Sequence, residues 1–180
     1  MSLPAPANRI DARFQQLQAD GKRAFVAYVC AGDPTLERTL DVVLALEKAG
    51  VDIVELGVPF SDPLADGVVN QMAADRALRA GASTQGVLDM IRRLRERSQI
   101  PLVLFTYLNP IYAFGYERFH HEAAAAGADG ILVLDLPPNE AALNAELKPA
   151  PDLRHIQLIA PTSTPARIAE IAASAEGFIY

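Results

Sequence analysis

The sequence predicts an α/β fold with a parallel sheet, because apolar strands and amphipathic helices alternate along its 180 residues. The predicted strands are almost wholly apolar, as parallel strands covered by helices on both faces require. Single glycines and prolines separate the segments and form no linker. An open doubly wound sheet and a (β/α)8 barrel both fit this alternation. The first strand–helix turn lacks a glycine-rich dinucleotide fingerprint, which favours the barrel.

Hydrophobic spacing defines the predicted elements. The first helix has Ile10, Phe14 and Leu17 on one face, and Gly21 can end it. Five complete strands are predicted at 24–30, 51–56, 100–107, 130–135 and 155–160, and a sixth begins at 177. We therefore expect about six βα units and a single partial barrel domain over residues 1–180.

Helix termini are predicted from capping residues. Asp33 should be the N-cap of the second helix, with Pro34 at its first position. Thr84 should cap a later helix with an apolar stripe of its own. Further helices are predicted to end near 126–127 and to span 138–147 and 165–173.

Composition excludes several classes of protein. Hydrophobic residues make up 51% and charged residues 21% of the chain, unlike a disordered or collagen-like sequence. The single cysteine, Cys30, excludes an internal disulfide, and a net charge of −6 argues against nucleic acid as a partner. The chain has no signal-like start and no apolar run long enough for a membrane span. We therefore expect a soluble cytoplasmic protein.

Glu55 is the first candidate for catalysis, because it ends an otherwise apolar strand. It shares one strand face with Ile53 and Gly57 by the two-residue period. If that face is the barrel interior, Glu55 points into the mouth, where burial would raise its pKa towards the range useful for proton transfer. A structural ion pair with a neighbouring loop is an equally weighted alternative.

The segment 58–67 is the longest irregular stretch and carries Asp62 and Asp66. A loop of this length in a compact domain is often a binding loop. Asp66 could place a second carboxylate above the same mouth as Glu55, or it could cap a helix beginning near Asn70.

Other strand ends carry further candidates. Tyr107 could form an aromatic wall with one hydroxyl group, or simply pack in the core. Asp135 repeats the carboxylate at a strand end, or caps the next helix. His120 and His121 point about 100° apart on a helix and are expected at the surface. His155 opens a strand and is expected at the end away from catalysis.

No lysine lies at a strand end, and no nucleophilic triad or metal cluster is visible. General acid–base catalysis by two carboxylates therefore remains.

At these residues the sequence resembles the tryptophan synthase alpha chain family. The fourteen residues 54–67, with the sequence VELGVPFSDPLADG, look like that family's signature. The segments 31–34, 106–110, 134–137 and 160–162 are similar to its other strand ends. Val68 and Val69 stand where the family usually has proline after the Ala-Asp-Gly, which removes no functional group.

The resemblance implies a lyase of the (β/α)8 barrel fold that cleaves indole-3-glycerol phosphate to indole and glyceraldehyde 3-phosphate. Glu55 would be the acid–base group, and Asp66 would accept a hydrogen bond from the indole N–H. Phe25, Tyr28 and Tyr107 could line the indole pocket, and Asp62 would lie in the loop that communicates with a β subunit. No cofactor or metal is implied for this chain. Pyridoxal phosphate would belong to the β subunit of an α2β2 heterotetramer.

A full barrel of this type needs about 250 residues. The family's phosphate-binding loops follow its seventh and eighth strands, so we expect a C-terminally truncated chain with weak or no activity alone. The alternatives are a non-catalytic barrel fragment that acts only as a partner of the β subunit, and another phosphate-binding barrel.

Overall fold

A computed structural model describes residues 8–137, 139–140 and 153–180 of the protein. In these residues, twelve helices and strands alternate much as the sequence predicts. They are, in chain order, α1 (Arg9–Ala19), β1 (Val26–Cys30), α2 (Leu36–Lys48), β2 (Ile53–Gly57), α3 (Val68–Arg79), α4 (Thr84–Arg95), β3 (Leu102–Thr106), α5 (Leu108–Phe114), α6 (Tyr116–Ala126), β4 (Gly130–Val133), β5 (Arg154–His155) and α7 (Pro165–Ser174). No helix in this part of the chain combines the length and apolarity that crossing a membrane requires.

The five strands form one parallel sheet in the sequential order β1-β2-β3-β4-β5. The predicted fifth strand is shorter than expected, because only Arg154 and His155 pair with β4. The predicted sixth strand is present as a single parallel bridge between Gln157 and Ile179. The predicted helix over 138–147 lies outside the described residues, apart from positions 139 and 140. The strand order therefore agrees with consecutive βα units.

The sheet separates two apolar clusters. Its outer face packs against the helices through a large buried cluster that includes Val54, Leu104 and Ile131. Its inner face holds a smaller cluster built from Ile53, Val103, Leu132, Ile156 and, from α1, Ile10. Alternate residues of β2 thus belong to different clusters, as the two-residue period of a strand requires. This alternation assigns Glu55 to the inner face.

Helix α1 closes the N-terminal end of the sheet. Its inward residue Ile10 is fully buried. Charged residues of α1 bind the segments that precede the strands: Arg13 pairs with Asp52, and Arg9 pairs with Asp129 at 2.8 Å. The inner face is therefore filled by side chains at its N-terminal end, and the candidate site has to lie at the opposite end.

Two capping predictions are wrong by one or two residues. The N-cap of α2 is Thr35, whose side chain accepts a hydrogen bond from the Arg38 N–H. Asp33 instead forms a two-bond ion pair with Arg76 of α3. The N-cap of α4 is Ser83, so Thr84 is its first helical residue. In both cases two polar residues stood within two positions of each other, and only the backbone conformation decided which one capped the helix.

The prediction that His120 lies at the surface is also wrong. His120 is only 1% exposed, and its Nδ1 lies 2.8 Å from the carbonyl oxygen of Tyr116. Its ring stacks on that of His155 with a centroid distance of 5.5 Å, and burial lowers the pKa of both histidines. Helix α6 turns this position towards the sheet, because Phe119 and Ala123 on the same side are fully buried.

Candidate active site

Glu55 lies on the inner face of β2 and is only 3% exposed. Its Oε1 atom has no hydrogen-bond partner, and Glu55 makes no ion pair with any described residue. The structural ion pair considered as an alternative is therefore not found among these residues. Burial of the carboxyl group raises the pKa of Glu55 to about 7. A carboxyl group with this pKa can both donate and accept a proton near neutral pH.

The raised pKa predicts a pH-dependent stability. Because folding favours the protonated form of Glu55, its contribution is fully present below about pH 4 and declines as the pH rises towards 7. The difference in unfolding free energy between the protein and its Glu55→Gln variant should change by about 3 kcal/mol over this range. Urea unfolding of both proteins at several pH values measures this change in the free-energy difference. All other titrating groups, His155 included, are common to both proteins, so a difference that stays constant with pH would contradict the prediction.

Asp66 lies in the loop between β2 and α3 and is oriented by Tyr107. The Tyr107 hydroxyl donates a hydrogen bond of 2.7 Å to Asp66 Oδ2 and accepts one of 2.9 Å from the Ala65 N–H. Burial, followed by the bond to Asp66, raises the pKa of Tyr107 to about 12. The N-cap of α3 is Gly67, so Asp66 is not the helix cap considered as an alternative. Among the described residues, Asp66 Oδ1 accepts no hydrogen bond and is available to a ligand.

Tyr28 lies on β1 opposite Glu55 in the parallel register. Its ring packs edge-on against Phe105 of β3, with a centroid distance of 5.4 Å. Phe105 also contacts the Tyr180 ring at 5.9 Å. Aromatic side chains from three different segments therefore surround this end of the inner face.

Sequence reasoning missed Phe105 and Tyr180. The two-residue period from Val103 could have assigned Phe105 to the inner face. Tyr180 gave no comparable signal, because its segment forms only one bridge with the sheet.

Three other candidates make none of these contacts with Glu55, Asp66 or Tyr28. Phe25 precedes β1 at its N-terminal end and is 61% exposed; its N–H donates to Asp52 Oδ2 at 2.6 Å. Asp135 accepts a hydrogen bond of 2.6 Å from the Leu108 N–H and so supports the start of α5. Asp62 is exposed in the loop after β2, where its carboxylate accepts a bond from the Ser61 hydroxyl. The structure thus brings Glu55, Asp66, Tyr107 and Tyr28 to one end of the sheet, and it leaves Phe25 at the other.

Comparison with known sequences supports a family assignment. A family model described as tryptophan synthase alpha chain matches residues 14–180. A tryptophan synthase alpha chain from Citrifermentans bemidjiense is 52% identical over 176 residues, which are 96% of this chain and 65% of the relative. The corresponding chain from Opitutus terrae is 47% identical, with the same coverage of 96% and 65%. The chain thus spans about 65% of the length of these curated relatives.

Solved structures of similar chains show the same fold. Tryptophan synthase subunit alpha from Legionella pneumophila str. Paris superimposes with a TM-score of 0.90 at 41% identity, covering 96% of this chain and 66% of that one. Tryptophan synthase from M. tuberculosis in its aminoacrylate-bound form gives a TM-score of 0.86 at 33% identity, covering 96% and 70%. These structures are (β/α)8 barrels, so the barrel prediction is confirmed and the doubly wound alternative is wrong.

Proposed function

Because the chain belongs to the tryptophan synthase alpha chain family, we propose that it carries the proton-transfer groups of a carbon–carbon lyase in tryptophan biosynthesis. The substrate of this lyase is indole-3-glycerol phosphate, and its products are indole and glyceraldehyde 3-phosphate. The observation that carries the proposal is Glu55, a buried carboxyl group with a pKa of about 7 and with one oxygen that no described residue hydrogen-bonds. Asp66 lies in the loop that directly follows the same strand.

The chemistry of the cleavage matches these two groups. Breaking the bond between indole C3 and the side chain needs a proton delivered to C3 and another removed from the glycerol hydroxyl group. Glu55 can carry out both steps in turn, since its raised pKa leaves both protonation states accessible at neutral pH. The inner face around it is apolar, which keeps competing water away from the carboxyl group.

Asp66 supplies the negative charge that the reaction needs. Protonation at C3 turns the indole into a cation whose charge lies largely at the ring nitrogen. The hydrogen bond from Tyr107 holds Oδ2 of Asp66, and Oδ1 is left to accept a bond from the indole N–H. A carboxylate held in advance next to a developing cation stabilises the transition state. The aromatic rings of Tyr28 and Tyr107 provide apolar surface for the flat indole.

Membership of the same family also suggests the partner of this chain and its location in the cell. We propose a β subunit as the partner, in an α2β2 heterotetramer that works in the cytoplasm. Pyridoxal phosphate would belong to that β subunit, and the cleavage on this chain would need no cofactor. The loop that carries Asp62 would face the β subunit. This loop borders an open cavity of about 540 Å³, lined in part by Phe60, Ser61 and Asn109, which gives a partner chain a surface to contact. The alternative in which the protein acts only as a partner of the β subunit is not favoured, because both carboxylates of the site are present.

The proposal predicts a difference between chain lengths. A complete alpha chain carrying these residues should release indole from indole-3-glycerol phosphate, whereas the 180-residue chain should show weak activity or none. The reason is that the chain spans about 65% of its relatives, and the resemblance assigns the phosphate-binding loops to the remaining third. Spectroscopic measurement of indole formation tests both statements. A complete chain without turnover would contradict the function, and full turnover by the 180 residues would contradict the need for those loops.

A further inference from the structure

The position of Tyr28 is determined by two neighbours. A Cβ atom placed on Gly57 would lie only 2.1 Å from the Tyr28 hydroxyl oxygen, so the end of the tyrosine ring occupies the space that glycine leaves open. Phe105 packs edge-on against the same ring from the next strand. Tyr28 therefore reaches across β2 just beyond Glu55, on the side towards the loop that carries Asp66.

The two tyrosines of the site differ in how their hydroxyl groups are used. The hydroxyl of Tyr107 already donates to Asp66 and accepts from Ala65. The hydroxyl of Tyr28 makes no hydrogen bond with any of the described residues. Burial raises the pKa of Tyr28, and nearby acidic groups that include Asp66 and Glu55 raise it further. The phenol therefore stays protonated at neutral pH and can donate a hydrogen bond.

The polar groups of the proposed substrate narrow what Tyr28 can bind. The indole N–H is matched by Asp66, whose Oδ1 accepts no hydrogen bond from the described residues. The phosphate group needs several donors or a cation, and a single phenol next to two carboxylates is a poor partner for a dianion. The two hydroxyl groups of the glycerol side chain remain. A phenol can both donate to and accept from a hydroxyl group, so the chemistry is complementary.

We propose that the hydroxyl group of Tyr28 binds a hydroxyl group of the substrate's glycerol side chain beside Glu55. This inference rests on the proposed function and adds a third polar group to the site. It makes Tyr28 a determinant of specificity, because the site then recognises a hydroxylated side chain as well as the indole ring. Tyr28 would also hold the side chain where Glu55 can reach its proton.

The Tyr28→Phe substitution in the complete alpha chain tests the proposal, because it removes only the hydroxyl oxygen and keeps the ring against Phe105. Loss of one neutral hydrogen bond to substrate should lower kcat/KM for indole-3-glycerol phosphate about 10-fold. The inhibition constant of indole-3-propanol phosphate, which lacks both glycerol hydroxyl groups, should not change. Tyr112→Phe is the matched control, since Tyr112 is 62% exposed on α5; this variant should behave as the unmodified protein.

The outcomes separate this inference from the proposed function. An unmodified alpha chain that releases no indole would overturn the function and this inference with it. An active protein whose Tyr28→Phe variant keeps its kcat/KM would overturn the inference alone. A parallel loss of affinity for indole-3-propanol phosphate would also overturn it, because Tyr28 would then act through the shape of the indole pocket.

Discussion

Replacement of Glu55 by glutamine should lower the rate of indole formation by about 100-fold or more. Glutamine has nearly the same shape as glutamate, but it cannot give or take a proton at neutral pH. The native carboxyl group is buried, forms no ion pair within the described residues and has one oxygen without a partner. The substitution therefore removes the proton-transfer group and breaks no described salt bridge.

The matched control for this variant is Glu117→Gln on α6. The Glu117 side chain is 90% exposed, so this change should leave turnover unaffected. Affinity for indole-3-propanol phosphate and for the β subunit should be retained in the Glu55→Gln protein. Steady-state kinetics give kcat, and titration with the inhibitor shows that the site is intact. A Glu55→Gln protein that keeps its kcat would refute Glu55 as the acid–base group.

The second large effect is a loss of stability, and it is expected on substitution of Asp129 at the opposite end of the sheet. Its carboxylate is 3% exposed and binds Arg9, Arg95 and the Leu102 N–H, each at 2.8–2.9 Å. Arg95 is itself buried, with a side chain 10% exposed, and burial lowers its pKa to about 10. Asp129 thus joins α1, α4 and the start of β3 through one charged group.

Asp129→Asn should lower the free energy of unfolding by about 3–5 kcal/mol, because it leaves the Arg95 guanidinium buried without a counter-ion. Urea unfolding followed by circular dichroism measures the loss. Asp75→Asn is the control: Asp75 pairs with Arg79 on the exposed side of α3, so its loss should cost about 0.5 kcal/mol or less. Equal effects of the two substitutions would show that Asp129 does not hold the helices to the sheet.

Much of the fold could be predicted because its signals are local. The helix with Ile10 and Leu17 on one face, and strands as apolar as 102–106, follow from spacing alone. The predicted helix between β3 and β4 proved to be two helices, α5 and α6, which meet at Gly115 with a φ of 97°. A break of this kind depends on one backbone torsion, and the apolar pattern on either side does not reveal it.

Some residues of the candidate site could likewise be predicted from the sequence, and others could not. Glu55 and Asp66 could be found from sequence, because a carboxylate at the end of an apolar strand and one in a long loop both depart from the local pattern. The prediction that Phe25 lines the pocket is not supported by its exposed position at the start of β1. Phe25 and Tyr28 are neighbours in an apolar run, and only the register of β1 against β2 shows which of them stands beside Glu55.

The sequence by itself therefore determined the class of fold, the succession of helices and strands along the chain and the two carboxylates of the site, because these depend on periodicity and on residues next to one another in the chain. Only the tertiary structure decided how the groups act on each other. The burial that raises the pKa of Glu55, the Tyr107 hydroxyl that orients Asp66, and the space above Gly57 that admits Tyr28 arise between segments distant in sequence. Desolvation and hydrogen bonding depend on such contacts, and no local pattern encodes them.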